Sequence, residues 1–275
     1  MALVHKLGWD ARFVRRSAWF WPIARAAGRI AGSSDWPRLG DLDALYAELA
    51  TKIGAPPLRF AANVRKQDKR ARGRVVLDAL YDGRIALHGE VPTRERDWHD
   101  LFNALCFATF PRAKIALHRR QYQALQRRIG PDADAIPPTR TPEQDALTLF
   151  DEGGVVVAAD AHAVRALEHA GQHPPASVLE QLERAGHARV VPFGHALFEH
   201  LVEGLVCPGG GTRVLALDPL PTDDSALLVA VDLGLCALLE NPGCFTSPRE
   251  HFHLRFNGMS PPSARGVGSE DEVFC

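Results

Sequence analysis

Apolar residues recur along this chain mostly at helical spacing, and the pattern predicts helices interrupted by a few short strands. Leu42, Leu45, Tyr46 and Leu49 stand at i, i+3, i+4 and i+7, one apolar stripe on a helix from Leu42 to Ile53 that Gly54 and Pro56 end. Leu58 to Val64 reads as a strand. Val75 to His88 carries two readings, a hairpin turned at Asp82 and Gly83 or a helix with Leu77, Leu80, Tyr81 and Ile85 on one face. Thr93 is placed to cap a helix bearing Trp98, Leu101, Phe102 and Leu105. Pro111 opens a second helix, Arg112 to about Arg128, and the proline-rich stretch from Pro131 to Pro142 connects it onward.

Beyond that connector, Leu147 to Phe150 and Val155 to Ala158 flank Asp151, Glu152, Gly153 and Gly154, which predicts a hairpin near 147–158 with Asp151 as a turn former. Helices follow at Ala161 to Ala170 and Ala176 to Ala185. A short strand at Val190 leads through Phe193 and Gly194 into a helix from His195 to about Glu203. Arg213 to Leu217 is a further strand, Gly209 to Gly211 a flexible turn before it, and Asp224 or Ser225 opens an apolar helix to Leu239. The sum is an α+β fold, predominantly helical, expected as one domain over 1–256 with a mobile tail over 257–275. Regular βαβ alternation is missing, as are the glycine-rich phosphate loops and the GxSxG nucleophile elbow.

Composition adds little to that picture. The chain of 275 residues is 46% hydrophobic and 24% charged with a formal net charge of -1, which suits a globular protein and supplies no global field for nucleic acid or an anionic membrane. A local basic surface, Arg65 to Arg74 with Arg119, Arg120, Arg127 and Arg128, is the remaining route to phosphates, and nucleic acid is disfavoured because no aromatic residue is interleaved in the first run. Five scattered cysteines without metal-knuckle spacing read as reduced thiols, Cys106 and Cys236 as small core residues, and point to the cytosol. Trp19, Phe20 and Trp21 lie in a segment broken by Pro22 and bracketed by arginines, so no membrane span is expected; burial is favoured over a peripheral anchor.

The candidate chemistry sits beside the apolar stripes. His99 and Asn103 stack one turn apart with Asp100 just around from them, and His195 and Glu199 stand at i, i+4 on a second helix. An imidazole with a carboxylate at such spacing ligates a divalent ion, runs proton transfer, or only ties neighbouring elements together. Asp145, before the expected hairpin, is the better acidic candidate for reaching a pocket than Asp151, and Arg94 and Asn103 are placed to bind substrate. His200 is expected to be exposed. His251 and His253 form a further HxH pair without a third ligand in view.

Five segments, Gly89 to Arg94 (GEVPTR), Trp98 to Leu105 (WHDLFNAL), Phe110 to Lys114 (FPRAK), Asp145 to Val155 (DALTLFDEGGV) and Phe193 to Glu199 (FGHALFE), resemble the motifs of a bacterial family called domain of unknown function 3025. The resemblance covers about Leu58 to Glu203, with an echo at Glu272 to Phe274, while the region after Cys207 departs from the pattern. It implies no activity. The leading expectation is a metal-assisted or acid/base enzyme, of hydrolase type, with its pocket between the 98–103 and 195–199 helices. His99, Asp100, His195 and Glu199 are the expected catalytic and metal-ligating residues, Arg94, Asn103 and Asp145 the substrate-binding ones, a divalent transition metal the cofactor and a small molecule the substrate. The alternative is a non-catalytic binding or scaffold protein in which the same residues form a buried polar network.

Overall fold

The structure, a computed structural model, describes residues 7–63, 70–71, 74–129, 135–171, 173–205 and 210–254. After 3-10 turns at Phe13–Arg16 and Ala18–Ile23 come α1 (Ala24–Ile30), α2 (Leu39–Lys52), β1 (Arg59–Ala62), β2 (Arg70–Ala71) and β3 (Arg74–Val75). A 3-10 turn at Leu77–Ala79 leads to α3 (Tyr81–His88), β4 (Glu90–Thr93), α4 (Trp98–Thr109), α5 (Pro111–Ile129) and α6 (Pro142–Gly153). The remainder is β5 (Val155–Ala159), α7 (Ala161–Ala170), α8 (Ala176–Ala185), β6 (Ala188–Pro192), α9 (His195–Val202), β7 (Gly210–Ala216), α10 (Asp224–Glu240), a 3-10 turn at Pro248–Glu250 and β8 (Phe252–Leu254). This is an α+β protein in which helices predominate, as the periodicity predicts.

The main sheet runs β6-β5-β7-β8, with β5 antiparallel to β6 and parallel to β7, and β8 antiparallel to β7. Because side chains alternate along a strand, β5 feeds two cores. Val156 and Ala158 pack with Phe110 and with Leu117, Leu147, Phe150, Leu227 and Leu235 from α5, α6 and α10, while Val155, Val157 and Ala159 pack with Leu167, Leu179 and Leu182 of α7 and α8. That is why β5 is apolar without alternation. A third cluster is helical and aromatic: Phe13, Phe20, Phe102 and Phe198 join residues of α1, α2, β1 and α4. β1 and β4 form a separate parallel pair, and β2 and β3 a small antiparallel one.

Several expectations need correction. The hairpin near 147–158 does not form. Thr141 and Gln144 make a reciprocal capping box (3.2 and 3.0 Å), Pro142 occupies the first turn, and Ala146, Leu147 and Phe150 bury one helical stripe, so the segment is α6. Gly153 and Gly154 end that helix, and β5 finds its antiparallel partner in β6. Val75 to His88 settles mainly as helix, with Asp82 and Gly83 in the first turn of α3 and Ile85 buried. Thr93 lies in β4, where its hydroxyl donates to the Val91 carbonyl (2.9 Å), and Asp97 caps α4 instead. Gly210 and Gly211 belong to β7 rather than a free turn.

Trp19 and Phe20 are buried, Phe20 stacking on Phe102 and Phe198 at centroid distances of 5.8 Å, which removes the peripheral anchor. No helix among the described residues is long and apolar enough to cross a membrane. Cys106 is buried with its thiol pushed up to about 12 by desolvation, an inert core residue as expected, while Cys236 is half-buried on α10. His251 is a core residue stacked against Phe150 at 5.6 Å. The expectations for Arg65 to Lys69, Pro131 to Asp134, Cys207, Gly209, the His253 side chain and the tail from Asn257 lie outside the described residues.

One carboxylate organises the helical half from a distance. α5 begins immediately after the apolar Phe110, which cannot cap it, and Asp232 in the middle of α10 accepts from the backbone N–H groups of Ala113 (2.8 Å) and Arg112 (3.3 Å) instead. Asp232 is fully buried. Asp232→Ala is expected to lose about 1–3 kcal/mol in chemical denaturation, because the buried Ala113 amide and the half-buried Arg112 amide lose their acceptor.

Candidate metal centre

Three elements converge where β5 starts and β6 ends. On α4, Trp98 stacks on Trp9 (5.6 Å) and Phe102 (5.4 Å), which fixes the rotation of the helix and leaves His99, the next residue around, facing α6 and α9. On α9, Phe198 and Val202 enter the aromatic core and Leu197 the sheet core, so His195 in the first turn points back toward α6. Gly194 makes this approach possible. A Cβ there would overlap Gly154 N, Glu152 O and Gly153 N, and the Gly194 N–H donates to Gly154 O at 2.9 Å. The last turn of α6 thereby lies against the first turn of α9 and delivers Asp151 and Glu152.

The result is a tight cluster. His99 Nε2 lies 3.0 Å from His195 Nε2, and Glu152 Oε2 lies 3.4 Å from His195 Nε2 and 3.9 Å from His99 Nε2. These three residues each offer one ligand atom, all within 4.8 Å of one another. Two nitrogens bound to one Zn²⁺ at 2.0–2.1 Å stand about 3.0–3.4 Å apart at ordinary bond angles, so the spacing suits a shared ion. Each outer ring nitrogen faces a carboxylate: His99 Nδ1 bonds Glu199 Oε2 at 2.9 Å, and His195 Nδ1 lies 3.9 Å from Asp151 Oδ2. The Glu199 bond holds the His99 tautomer that presents Nε2 to a metal, whereas Asp151 faces His195 by charge alone, without a hydrogen bond.

Behind the cluster is a buried ionic group. Lys114, with no exposed surface, donates to Asp151 and lies over the rings of Phe107 (4.9 Å) and Phe193 (5.9 Å). His118 Nε2 is 3.8 Å from the same carboxylate, and its Nδ1 bonds Asp82 at 2.8 Å. Burial works against ionisation of Asp151, yet the Lys114 ammonium together with the neighbouring His118 and His195 outweighs it and holds the carboxyl well below its ordinary range. The two site histidines are driven apart. The Glu199 hydrogen bond raises His99, whereas burial, reinforced by the Lys114 charge, lowers His195 well below the usual value. Burial and the Asp151 charge raise Glu152, and the His99 hydrogen bond lowers Glu199.

The cluster opens into a cleft of about 1010 Å³ running from His99 past Tyr81 and Asn103 to Pro137 and Arg140. Exposure rises in order: the His195 side chain is 3% exposed, His99 30% and Glu152 44%, so Glu152 is the member of the cluster most open to the cleft. A second groove of similar size lies between α5, α6 and α10 and carries Arg119, Arg120, Arg127 and Arg128. Arg120 there is buried and donates to the carbonyls of Leu239, Asn241 and Cys244, and Glu143 takes both Arg120 and Arg127. Arg120 therefore holds the fold together rather than facing a phosphate.

Of the residues singled out by sequence, His99, His195 and Glu199 meet, although 96 residues separate the two histidines. Asp100 does not join them; Arg94 takes both its oxygens (2.9 and 3.0 Å), and the Arg94 N–H adds a third bond at 2.6 Å. Arg94 is thus committed to Asp100 and Asp97 at the rim. Asn103 lines the cleft and bonds Tyr81, and Asp145 lines it on α6 without entering the cluster. His200 is half-buried rather than exposed. Sequence reasoning misses Glu152 and takes Asp151 for a turn former; both follow from reading α6 as strands. Lys114, His118 and Tyr81 carry no signal beyond polarity within apolar stripes.

Fold and site together define a helix-rich α+β protein with a cleft-facing cluster of two histidines and a carboxylate. The chain belongs to the family described as Protein of unknown function (DUF3025), whose model matches residues 69–261. That match continues through the region after Cys207, which the sequence motifs alone placed outside the family pattern, and includes β7, α10 and β8. No curated protein and no solved structure matches the chain at a significant level.

Proposed function

We propose that this protein is a metal-assisted hydrolase that binds one divalent transition metal through His99 Nε2, His195 Nε2 and a Glu152 oxygen. The observation carrying the reading is the convergence of those three atoms at the floor of a cleft, with a carboxylate facing the outer nitrogen of each imidazole. Two imidazoles and a carboxylate suit Zn, Mn or Fe, and three protein ligands on one side leave positions for water and substrate. Such an ion polarises a carbonyl and acidifies a bound water. The chain's own residues do the rest: Glu199 holds the His99 imidazole, the Asp151 carboxylate faces that of His195, Lys114 helps to keep Asp151 ionised, and Arg94 with Asp100 fixes the rim.

Protein purified without a tag or chelator is expected to carry a transition metal at up to one equivalent by elemental analysis, and added Zn²⁺ or Mn²⁺ to raise the melting temperature of the chelated form. Absence of both would remove the metal reading. What remains is supported by the 3.0 Å contact between the two Nε2 atoms: a proton-sharing pair in which His99 is the acid and His195 the base.

Binding is also expected to depend on pH in a set direction. His195 is already neutral near pH 7, so the competing proton is the one Glu199 stabilises on His99, and affinity falls as pH drops through the raised titration of His99. Glu199→Gln removes that stabilisation. The midpoint of metal loss should move to lower pH while affinity at high pH falls about 10–100-fold, as for other lost partners of ligating histidines. A midpoint that stays in place in a titration followed by metal release would contradict this assignment.

A further inference from the structure

Beside the proposed metal centre the cleft holds a polar pair with hydrogen-bonding capacity left over from the fold. Asn103 is 6% exposed, one turn along α4 from His99, and its Nδ2 donates to the Tyr81 hydroxyl at 2.7 Å. Its Oδ1 is buried and has no hydrogen-bond partner among the described residues. The Tyr81 hydroxyl accepts that bond and has no acceptor of its own among the described residues, so its proton is left for the cleft. Turning the amide over exchanges the roles and leaves the same complement, one donor and one acceptor on adjacent residues. Burial raises the Tyr81 phenol well above its ordinary value, which keeps the donor protonated.

Buried polar atoms in folded proteins find partners, and each one left over needs a reason. A ligand supplies it here. The group that answers one donor and one acceptor side by side is a carbonyl with its neighbouring N–H. The charge of the cleft argues against the other obvious occupant, a phosphate, because five carboxylates (Asp82, Asp100, Asp145, Asp151 and Glu152) face it among the described residues. Of its three guanidiniums, Arg94 is spent on Asp97 and Asp100, and Arg128 donates to Thr139 and Gln144.

We propose that Tyr81 and Asn103 form a subsite for a carboxamide group, the Tyr81 O–H donating to its carbonyl oxygen and Asn103 Oδ1 accepting from its N–H, which makes the substrate class of this cleft a neutral amide. The assignment deepens the metal-hydrolase reading, in which that carbonyl would lie within reach of the ion, but the hydrogen-bonding pair exists whether or not a metal binds.

The test uses N-acetylglycinamide, a minimal carbonyl and N–H probe, titrated into isotope-labelled protein both as purified and after loading with Zn²⁺, with the Asn103 side-chain amide followed by NMR. The probe is expected to shift that resonance saturably in both forms, inorganic phosphate to leave it in place, and Tyr81→Phe to weaken the probe about five- to tenfold, the loss of one hydrogen bond, while keeping the wild-type spectrum elsewhere. A resonance that does not respond to the probe, that responds equally to phosphate, or that responds unchanged in Tyr81→Phe overturns the subsite. Metal content, measured on the same samples, reports separately on the metal reading.

Discussion

His195→Ala is expected to abolish stoichiometric metal binding while leaving the metal-free protein close to wild-type stability. In the proposed metal centre His195 would supply a ligand nitrogen from a side chain only 3% exposed, so bulk water has poor access to fill its place. Loss of one of three protein ligands should weaken affinity by about 100-fold or more, since loss of a mere supporting partner already costs about 10–100-fold. Stability should move little. The outer nitrogen of His195 has no hydrogen-bond partner among the described residues, and His99 Nε2 can turn to the water of the cleft. A change within about 1 kcal/mol in the presence of chelator is therefore expected. A structural network behaves differently, because each truncation strands a buried partner at about 1–3 kcal/mol. Paired denaturation curves and metal analyses separate the cases, and a large loss of stability with unchanged metal content would favour the scaffold reading.

The second large effect belongs to the buried ion pair. Lys114→Met leaves the Asp151 carboxylate in an apolar setting without its ammonium, and a destabilisation of about 3–5 kcal/mol is expected. Asp151→Asn in the same chain should recover much of that loss, because an amide needs no counter-charge. Recovery is the informative outcome: a double mutant as unstable as the single one would show that the ammonium's contacts with the Phe107 and Phe193 rings matter more than its pairing with Asp151.

The helices are legible in the sequence because their burial is periodic. The stripe of Leu42, Leu45 and Tyr46 and the run from Trp98 to Leu105 both predict the faces that are buried. Where the prediction fails, local chemistry points two ways. Asp151 to Gly154 has the composition of a hairpin tip and also of a helix end, and only the capping pair of Thr141 and Gln144 upstream favours the helix. That single misreading hides Glu152. His99, His195 and Glu199 are visible as polar residues beside apolar stripes, but that Asp100 turns away to Arg94 is not, since it depends on the loop from Arg94 to Asp97 closing over the start of α4. Asp232 is a lone carboxylate in an apolar helix, a signal of a distant backbone partner that spacing alone cannot locate.

The long reach of that carboxylate bears on how the chain is made. α5 carries Lys114 and His118, the supports of the histidine cluster, yet its N-terminal amides receive their acceptor only from a residue 119 positions later. At ribosomal rates of about 5–20 residues per second, α5 waits on the order of ten seconds with those donors answered by water. Nascent chains halted before Asp232 should accordingly present α5 loosely docked and the cluster unassembled. The helix that carries these supports is thus secured at its start only after 119 further residues have been made.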